Sequence, residues 1–394
     1  MDKYRWVVDR VTVGMELSGK ASVIHPSLMR LGDGLLLLVG NSYGEDRFAA
    51  ASYERMAAHS DDEGKTWTAP QPTFTDPLPD KPPTNVSRGF RLKSGRLWML
   101  GGYGSTETDY GRLGRRPTEK TSPYGFAFEE ITNGFADLSE QRPLISEDDG
   151  QTWQACEPIE HHQPGVIMRS AGTGVMETRD GQLLLAFDGF ADEAAISNWH
   201  FCNGFVRSVD GGETWGDPTI VEPWDGQLFN FPNEMHIIDL PDGRWLALYR
   251  QQFFRDDYNS MGIFVYRAYS HDKGRTWTPG EQIFPNMAYT SATLLPDGAV
   301  LLVGAAYQGN IYAVSNNGGE TWDYQNLLWG VDPRDGGDCG GYGIAVLDDA
   351  HVAVAYYAKA DRAQCGSANE YGKMRIEIAL LKKVRADSLE GRMR

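Results

Sequence analysis

The stretch Ser270-His271-Asp272-Lys273-Gly274-Arg275-Thr276-Trp277 decides how this chain reads. Its skeleton, Ser-x-Asp-x-Gly-x-Thr-Trp, recurs at Ser60-Asp62-Gly64-Thr66-Trp67, Ser146-Asp148-Gly150-Thr152-Trp153 and Ser208-Asp210-Gly212-Thr214-Trp215. A further copy, Ser315-Asn317-Gly319-Thr321-Trp322, carries asparagine in place of the aspartate. This residue set suits a tight hairpin turn. Asp and Ser side chains bond backbone N–H groups across the turn, and glycine supplies a positive φ. The indole covers the apolar side of the hairpin, and its N–H is expected to find a partner.

A second repeat interleaves with the first. Turns at Asp33-Gly34, Ser94-Gly95, Asp180-Gly181, Asp242-Gly243, Asp297-Gly298 and Asp348-Asp349 are each followed by an apolar run, at 35–39, 97–100, 183–187, 245–249, 300–303 and 352–357. An Asp-Gly type of turn between such runs is a strong hairpin signal. One hairpin and one Ser-x-Asp turn per period make a four-stranded antiparallel sheet. Six periods predict an all-β, six-bladed β-propeller occupying residues 1–394 as one domain. The sixth period lacks the Ser-x-Asp turn, so residues 4–13, from the other end of the chain, are the expected partner that closes the ring and removes an exposed sheet edge. The largest insertion falls in blade two, at about residues 103–142. Long loops in compact domains tend to bind, so a lid or a contact between copies is expected there.

Composition narrows the function. At 41% hydrophobic and 11% aromatic residues, the chain has the material for a core. A formal net charge of −17 repels phosphate backbones, which argues against nucleic acid as a partner. No apolar run approaches the length of a membrane span, and residues 1–6 lack the pattern of a signal peptide, so a cytoplasmic location without membrane contact is expected. The four cysteines, Cys156, Cys202, Cys339 and Cys365, form no CxxC pair. Free thiols are the expectation, with a Cys339–Cys365 disulfide left open. No metal motif stands out, and no cofactor is expected.

In a propeller the first strand of each blade lines the central channel. The side chains that matter therefore sit at one register ahead of each hairpin turn. That register gives His25, Glu234 and Tyr289 in blades one, four and five. In blade two it falls near Asn85-Val86-Ser87-Arg88, in blade three near Met168-Arg169-Ser170, and in blade six near Asp338-Cys339-Gly340-Gly341-Tyr342. The hairpin of blade four runs out from Glu234 and back to Arg250, which should set the two side by side. A neighbouring guanidinium favours the ionised carboxylate.

The five turn motifs resemble the Asp boxes of the sialidase (neuraminidase) superfamily, and the resemblance covers essentially the whole chain. It implies an exo-glycosidase acting on a terminal sugar, sialic acid or another. Glu234 would take the proton of Tyr342, and Tyr342 would attack the anomeric carbon. Tyrosine is a poor nucleophile until a base removes its proton, and tyrosine-dependent sialidases are a recognised exception among glycosidases. Asp46, with Glu45 as substitute, lies where the superfamily's acid/base is expected. Arg250 matches one of three arginines that grip the substrate carboxylate, a task suited to the guanidinium fork. The other two are missing: blade one reads Val23-Ile24-His25-Pro26, and the stretch before the blade-five box reads Ala306-Tyr307-Gln308-Gly309-Asn310-Ile311. Arg47, Arg88 or Arg169 would have to converge in their stead, and His25 and Tyr289 become substrate contacts. Two other readings stay open on the same scaffold. One is a polysaccharide lyase using His25 with Tyr289 or Tyr342. The other is a propeller that binds glycans or proteins without catalysis.

Overall fold

The computed structural model describes residues 4–16, 22–42, 55–72, 83–86, 89–103, 142–157, 159, 167–190, 195, 201–222, 230–254, 260–306, 309–330, 340–359 and 374–386. The insertion expected at about 103–142 lies outside this set except at its two ends, as do Cys339 and Cys365. Cys156 and Cys202 form no disulfide.

Six antiparallel sheets form the blades of a six-bladed β-propeller. Strand β1 (Tyr4–Met15) opens the chain. Blade one follows with β2 (Ser22–Arg30), β3 (Leu35–Ser42), β4 (Arg55–Ser60) and β5 (Gln71–Pro72), paired in that order. Blade two pairs β6 (Pro83–Val86), β8 (Leu97–Tyr103), β9 (Arg142–Ser146) and β10 (Gln154–Ala155). Its first strand is interrupted, and the second piece, β7 (Phe90–Arg91), also pairs with β8. Blade three runs β11 (Ile167–Glu177), β12 (Leu183–Phe190), β13 (Phe201–Ser208) and β14 (Thr219–Glu222). Blade four runs β15 (Asn230–Asp239), β16 (Trp245–Phe254), β17 (Ser260–Ser270) and β18 (Glu281–Pro285). Blade five is β19 (Met287–Leu294), β20 (Val300–Ala306), β21 (Gly309–Ser315) and β22 (Asp323–Gly330). Blade six has β23 (Gly340–Val346), β24 (His351–Lys359) and β25 (Met374–Arg385), and its fourth strand is β1. The closure expected from the missing sixth motif is therefore present: β1 and β25 pair from Tyr4↔Arg385 to Met15↔Ile376.

Contacts gather the chain into two compact units, one of residues 74–290 and one of residues 1–73 with 291–394. The first holds blades two, three and four. Between blades three and four, Leu184, Ala186 and Phe205 pack with Met235, Ile237, Trp245, Ala247 and Tyr249. In the second unit, Leu28, Leu35 and Leu37 pack with Ala353, Ala355, Ile376 and Ile378. There the Tyr312 hydroxyl donates to the carbonyl of buried Trp6 at 2.9 Å, tying blade five to β1.

Each hairpin motif does what its residues dictate. In the copy at 270–277, Ser270 Oγ donates to Asp272 Oδ1 at 2.9 Å and accepts from Gly274 N at 2.7 Å. Thr276 gives its backbone N–H to Oδ1 at 2.8 Å and its hydroxyl to Oδ2 at 2.7 Å. Gly274 has φ 83°, and a Cβ there would meet the Trp245 ring at 2.7 Å, so both backbone and packing demand glycine. The asparagine copy keeps the same frame with one bond reversed: Asn317 Nδ2 donates to Thr321 Oγ1 at 2.9 Å. The indole expectation needs correction. Trp67, Trp153 and Trp322 donate to the carbonyls of Gly64, Gly150 and Gly319. The Trp215 and Trp277 Nε1 atoms are buried without a hydrogen-bond partner among the described residues. Both rings instead make edge contacts, Trp215 with Trp98 at 5.9 Å and Trp277 with Phe205 at 6.4 Å.

The motif aspartates give the fold an acid limit. The Thr152 hydroxyl and then its N–H lower the Asp148 carboxyl to about 2, and the Thr276 N–H and then its hydroxyl do the same for Asp272, against an ordinary 3.8. A depressed native pKa adds stability at pH values above the ordinary carboxylate range, and that stability disappears as pH falls through the native value. Melting temperature should therefore drop between about pH 4 and about pH 2, and the double variant Asp148→Asn, Asp272→Asn should show a shallower drop over that window. Asn317 is the natural control, since its hairpin forms without a titrating group. Melting curves from pH 2 to 7 would check this, and an equal slope in wild type and variant would refute it.

Candidate active site

The strongest cluster of expected residues lies on the first hairpin of blade four. Cα pairing along β15 and β16 runs Asp239↔Trp245 back to His236↔Leu248, then resumes at Asn233↔Arg250. Two residues, Glu234 and Met235, thus stand opposite Tyr249 alone. That is a β-bulge, a device that re-aims a side chain. Glu234 has φ 50°, in the left-handed region that a non-glycine residue rarely adopts. Backbone strain of this kind concentrates at functional sites and persists where the surroundings enforce it. The expected pairing of Glu234 with Arg250 is present, with one refinement. The residue directly across from Arg250 is Asn233, and the bulge brings Glu234 to it from one position along.

Arg250 Nη1 lies 3.5 Å from Glu234 Oε1, and both side chains are mostly buried, at 12% and 14% exposure. The Arg250 Nε–H donates to Asn233 Oδ1 at 2.7 Å. Asn233 itself is fully buried, and its Nδ2 has no hydrogen-bond partner among the described residues. Glu234 Oε2 is likewise buried without such a partner. A carboxylate oxygen left over beside a guanidinium can accept a proton or a hydroxyl hydrogen, so the arrangement is chemically equipped for proton transfer. Sequence reasoning missed Asn233. The pairing that reveals it, Asn233↔Arg250, follows from the bulge in the ladder, which the sequence does not mark.

The same bulge recurs on other first strands. On β2 it leaves His25 and Pro26 opposite Val39, and on β23 it leaves Gly341 and Tyr342 opposite Tyr356. Counted along each ladder from its turn, His25 occupies the register position of Glu234. Tyr342 occupies the next position, which Met235 fills in blade four and Pro26 in blade one. Arg169 lies on β11 with Asp188 as its Cα partner, and Asp188 is fully buried at the register position of Arg250. Tyr289 lies on β19. Asp46, Glu45, Arg47 and Arg88 lie outside the described residues. Among the described residues, no group of three or more His, Cys, Asp or Glu side chains could hold a metal ion.

With the repeat geometry in place, comparison with known proteins becomes informative. The sequence profile of the BNR repeat-like domain matches residues 126–359, more than half of the chain. The chain belongs to the BNR repeat-like domain family. No curated protein matches this BNR repeat-like chain in sequence. Among solved structures, a protein of unknown function from Dyadobacter fermentans aligns with a TM-score of 0.69 and 19% identity, over 97% of this chain and 100% of that one. The alpha-L-arabinofuranosidase of family GH93 from Fusarium graminearum, in complex with arabinobiose, gives a TM-score of 0.65 at 13% identity, over 97% and 99%. A Hadza microbial sialidase gives 0.60 at 18% identity, and the BNR repeat-like chain is matched over 93% of its length and 66% of the sialidase's. At these identities the likeness carries the fold, and activity has to be argued from the site.

Proposed function

We propose that this protein is a glycoside hydrolase releasing a terminal sugar, with Glu234 as its central carboxylate. The single observation that carries this reading is Glu234 itself. It is held at φ 50° in a bulge, with one oxygen against Arg250 and the other buried without a hydrogen-bond partner among the described residues. In this reading Glu234 takes the phenolic proton of Tyr342, the Tyr342 oxygen bonds to the anomeric carbon as the aglycone oxygen leaves, and Asp46 protonates that oxygen. Water then displaces Tyr342 from the sugar, with Asp46 as base, and the phenol regains its proton. Arg250 and His25 serve as substrate contacts, together with Arg88, Arg169 and Tyr289. Similarity in fold to a sialidase and an arabinofuranosidase supports a glycosidase.

The substrate is a neutral sugar in this reading, because Arg250 is engaged within the protein. A carboxylate sugar is held most strongly by two parallel N–H donors from one guanidinium edge. The single hydrogen on Nε points to Asn233, which removes one edge, and Nη1 of the other edge faces Glu234. The test is a panel of chromogenic glycosides that includes an α-L-arabinofuranoside, common neutral pyranosides and a sialoside. A neutral glycoside cleaved about a hundredfold faster than the sialoside is the expected result. Preference for the sialoside would refute the neutral sugar, and no cleavage of any member would refute the hydrolase. In that last case an unsaturated product absorbing in the ultraviolet would identify the lyase.

A further inference from the structure

We infer that Tyr249 is a positioning residue for Glu234, holding the bulge that aims the carboxylate through a phenol hydrogen bond to Glu222 of blade three. The inference rests on the reading of Glu234 as the central carboxylate. A glutamate at φ 50° persists only where its surroundings enforce that conformation, so something beside the bulge has to hold it. Tyr249 stands there, as the one residue of β16 opposite Glu234 and Met235. Consecutive residues of a strand point to opposite faces, so the side chains of Tyr249 and Arg250 leave β16 on opposite sides. Met235 shares the core between blades three and four with Tyr249, while Glu234 meets Arg250. The phenol ring thus claims one residue of the bulge and the guanidinium the other.

The ring is itself fixed from several sides. Its hydroxyl donates to Glu222 Oε2 at 2.8 Å. Glu222 is anchored in turn, since its backbone N–H donates to Oδ1 of fully buried Asn203 at 3.0 Å. Burial, and then the Glu222 charge, pushes the phenol well above its usual range, so it stays a donor. Gly280 leaves room for this bond: a Cβ there would collide with the Tyr249 hydroxyl and come within 3.0 Å of Glu222 Oε2. The Tyr266 ring lies 6.0 Å away, centroid to centroid. Tyr249 is fully buried, so it acts through Met235 and the bulge and does not touch the sugar.

Three variants test the bond. Tyr249→Phe removes the hydroxyl and keeps the ring, Gly280→Ala drives the phenol off Glu222, and Glu222→Gln keeps an acceptor oxygen. On the preferred glycoside the first two should lower kcat about tenfold or more with KM within about threefold, and Glu222→Gln should keep kcat within about threefold of wild type. Hydrogen exchange followed by mass spectrometry reads the bulge without any substrate. Peptides covering residues 230–239 should exchange about tenfold faster or more in Tyr249→Phe and Gly280→Ala than in wild type, with residues 97–103 unchanged. Thermal melting establishes that each variant is folded, and either of the two suffices should the other fail to fold. Unchanged exchange in a folded Tyr249→Phe or Gly280→Ala overturns the inference, as does faster exchange with wild-type kcat. A loss in Glu222→Gln equal to that in Tyr249→Phe overturns it too. Should no glycoside be cleaved, the hydrolase reading falls, and exchange alone decides whether Tyr249 holds the bulge.

Discussion

Glu234→Gln should lower kcat on the preferred glycoside by about a thousandfold, with KM changed by far less. Loss of a positioned proton acceptor typically costs a factor of 10²–10⁴. Glutamine keeps the length and shape of the side chain and removes only the charge and the ability to take a proton. The φ of 50° and the bulge opposite Tyr249 belong to the backbone, so the variant should still fold. Arg250, at 12% exposure, loses its counter-charge and some stability in either case, but a merely structural role would leave activity per folded molecule within about tenfold. Measuring kcat and the melting midpoint on the same preparation separates the two outcomes. Retained activity would end the case for Glu234 as the catalytic base.

The largest effect on stability is expected at Trp98. Its side chain is fully buried on β8 and packs with Leu92, Leu100, Leu183, Leu185 and Phe187 in the core shared by blades two and three. The ring lies 5.5 Å from Phe90 and 5.9 Å from Trp215, centroid to centroid. Trp98→Ala should destabilise by about 3–5 kcal/mol, through lost burial and the cavity left behind. Trp98→Phe should cost clearly less, because it removes less buried volume and leaves a smaller cavity. Phenylalanine keeps the aromatic edge contact and removes an indole N–H that is buried without a hydrogen-bond partner among the described residues. Urea unfolding followed by circular dichroism compares the two. Equal losses in both variants would show that packing at this position is not what the residue contributes.

The repeat architecture was legible because its determinants are local. A Ser, an Asp, a Gly and a Thr within one turn bond to one another, so the motif at 270–277 can be read without knowing what surrounds it. Even the closing strand β1 followed from local reasoning, as the partner demanded by a period without its own motif. The site was less legible, because its geometry depends on register. Counting residues brought Glu234 and Arg250 together but passed over Asn233, since a bulge shifts pairing by one residue and leaves no compositional mark. The same limit applied to Tyr342. Its place one position beyond the Glu234 register emerges only from the ladder of blade six, where Gly340 and Gly343 pair on either side of the bulge. The indole hydrogens of Trp215 and Trp277 were misjudged for a related reason. The preceding glycine carbonyl serves three of the five copies, and ring-on-ring packing serves the other two.

The pairing of β1 with β25 also has a consequence for how the protein is made. A ribosome delivers β1 well before β25, its ladder partner among the described residues, with residues 16–373 synthesised in between. Throughout that interval the N-terminal strand is an open edge, able to pair with the wrong neighbour or with another nascent chain. Residues 74–290, a continuous stretch with its own cores, can condense while synthesis proceeds. The unit assembled from the two ends of the chain cannot be completed until residues 374–385 emerge. The emergence of β25 is thus the step that lets the second unit close.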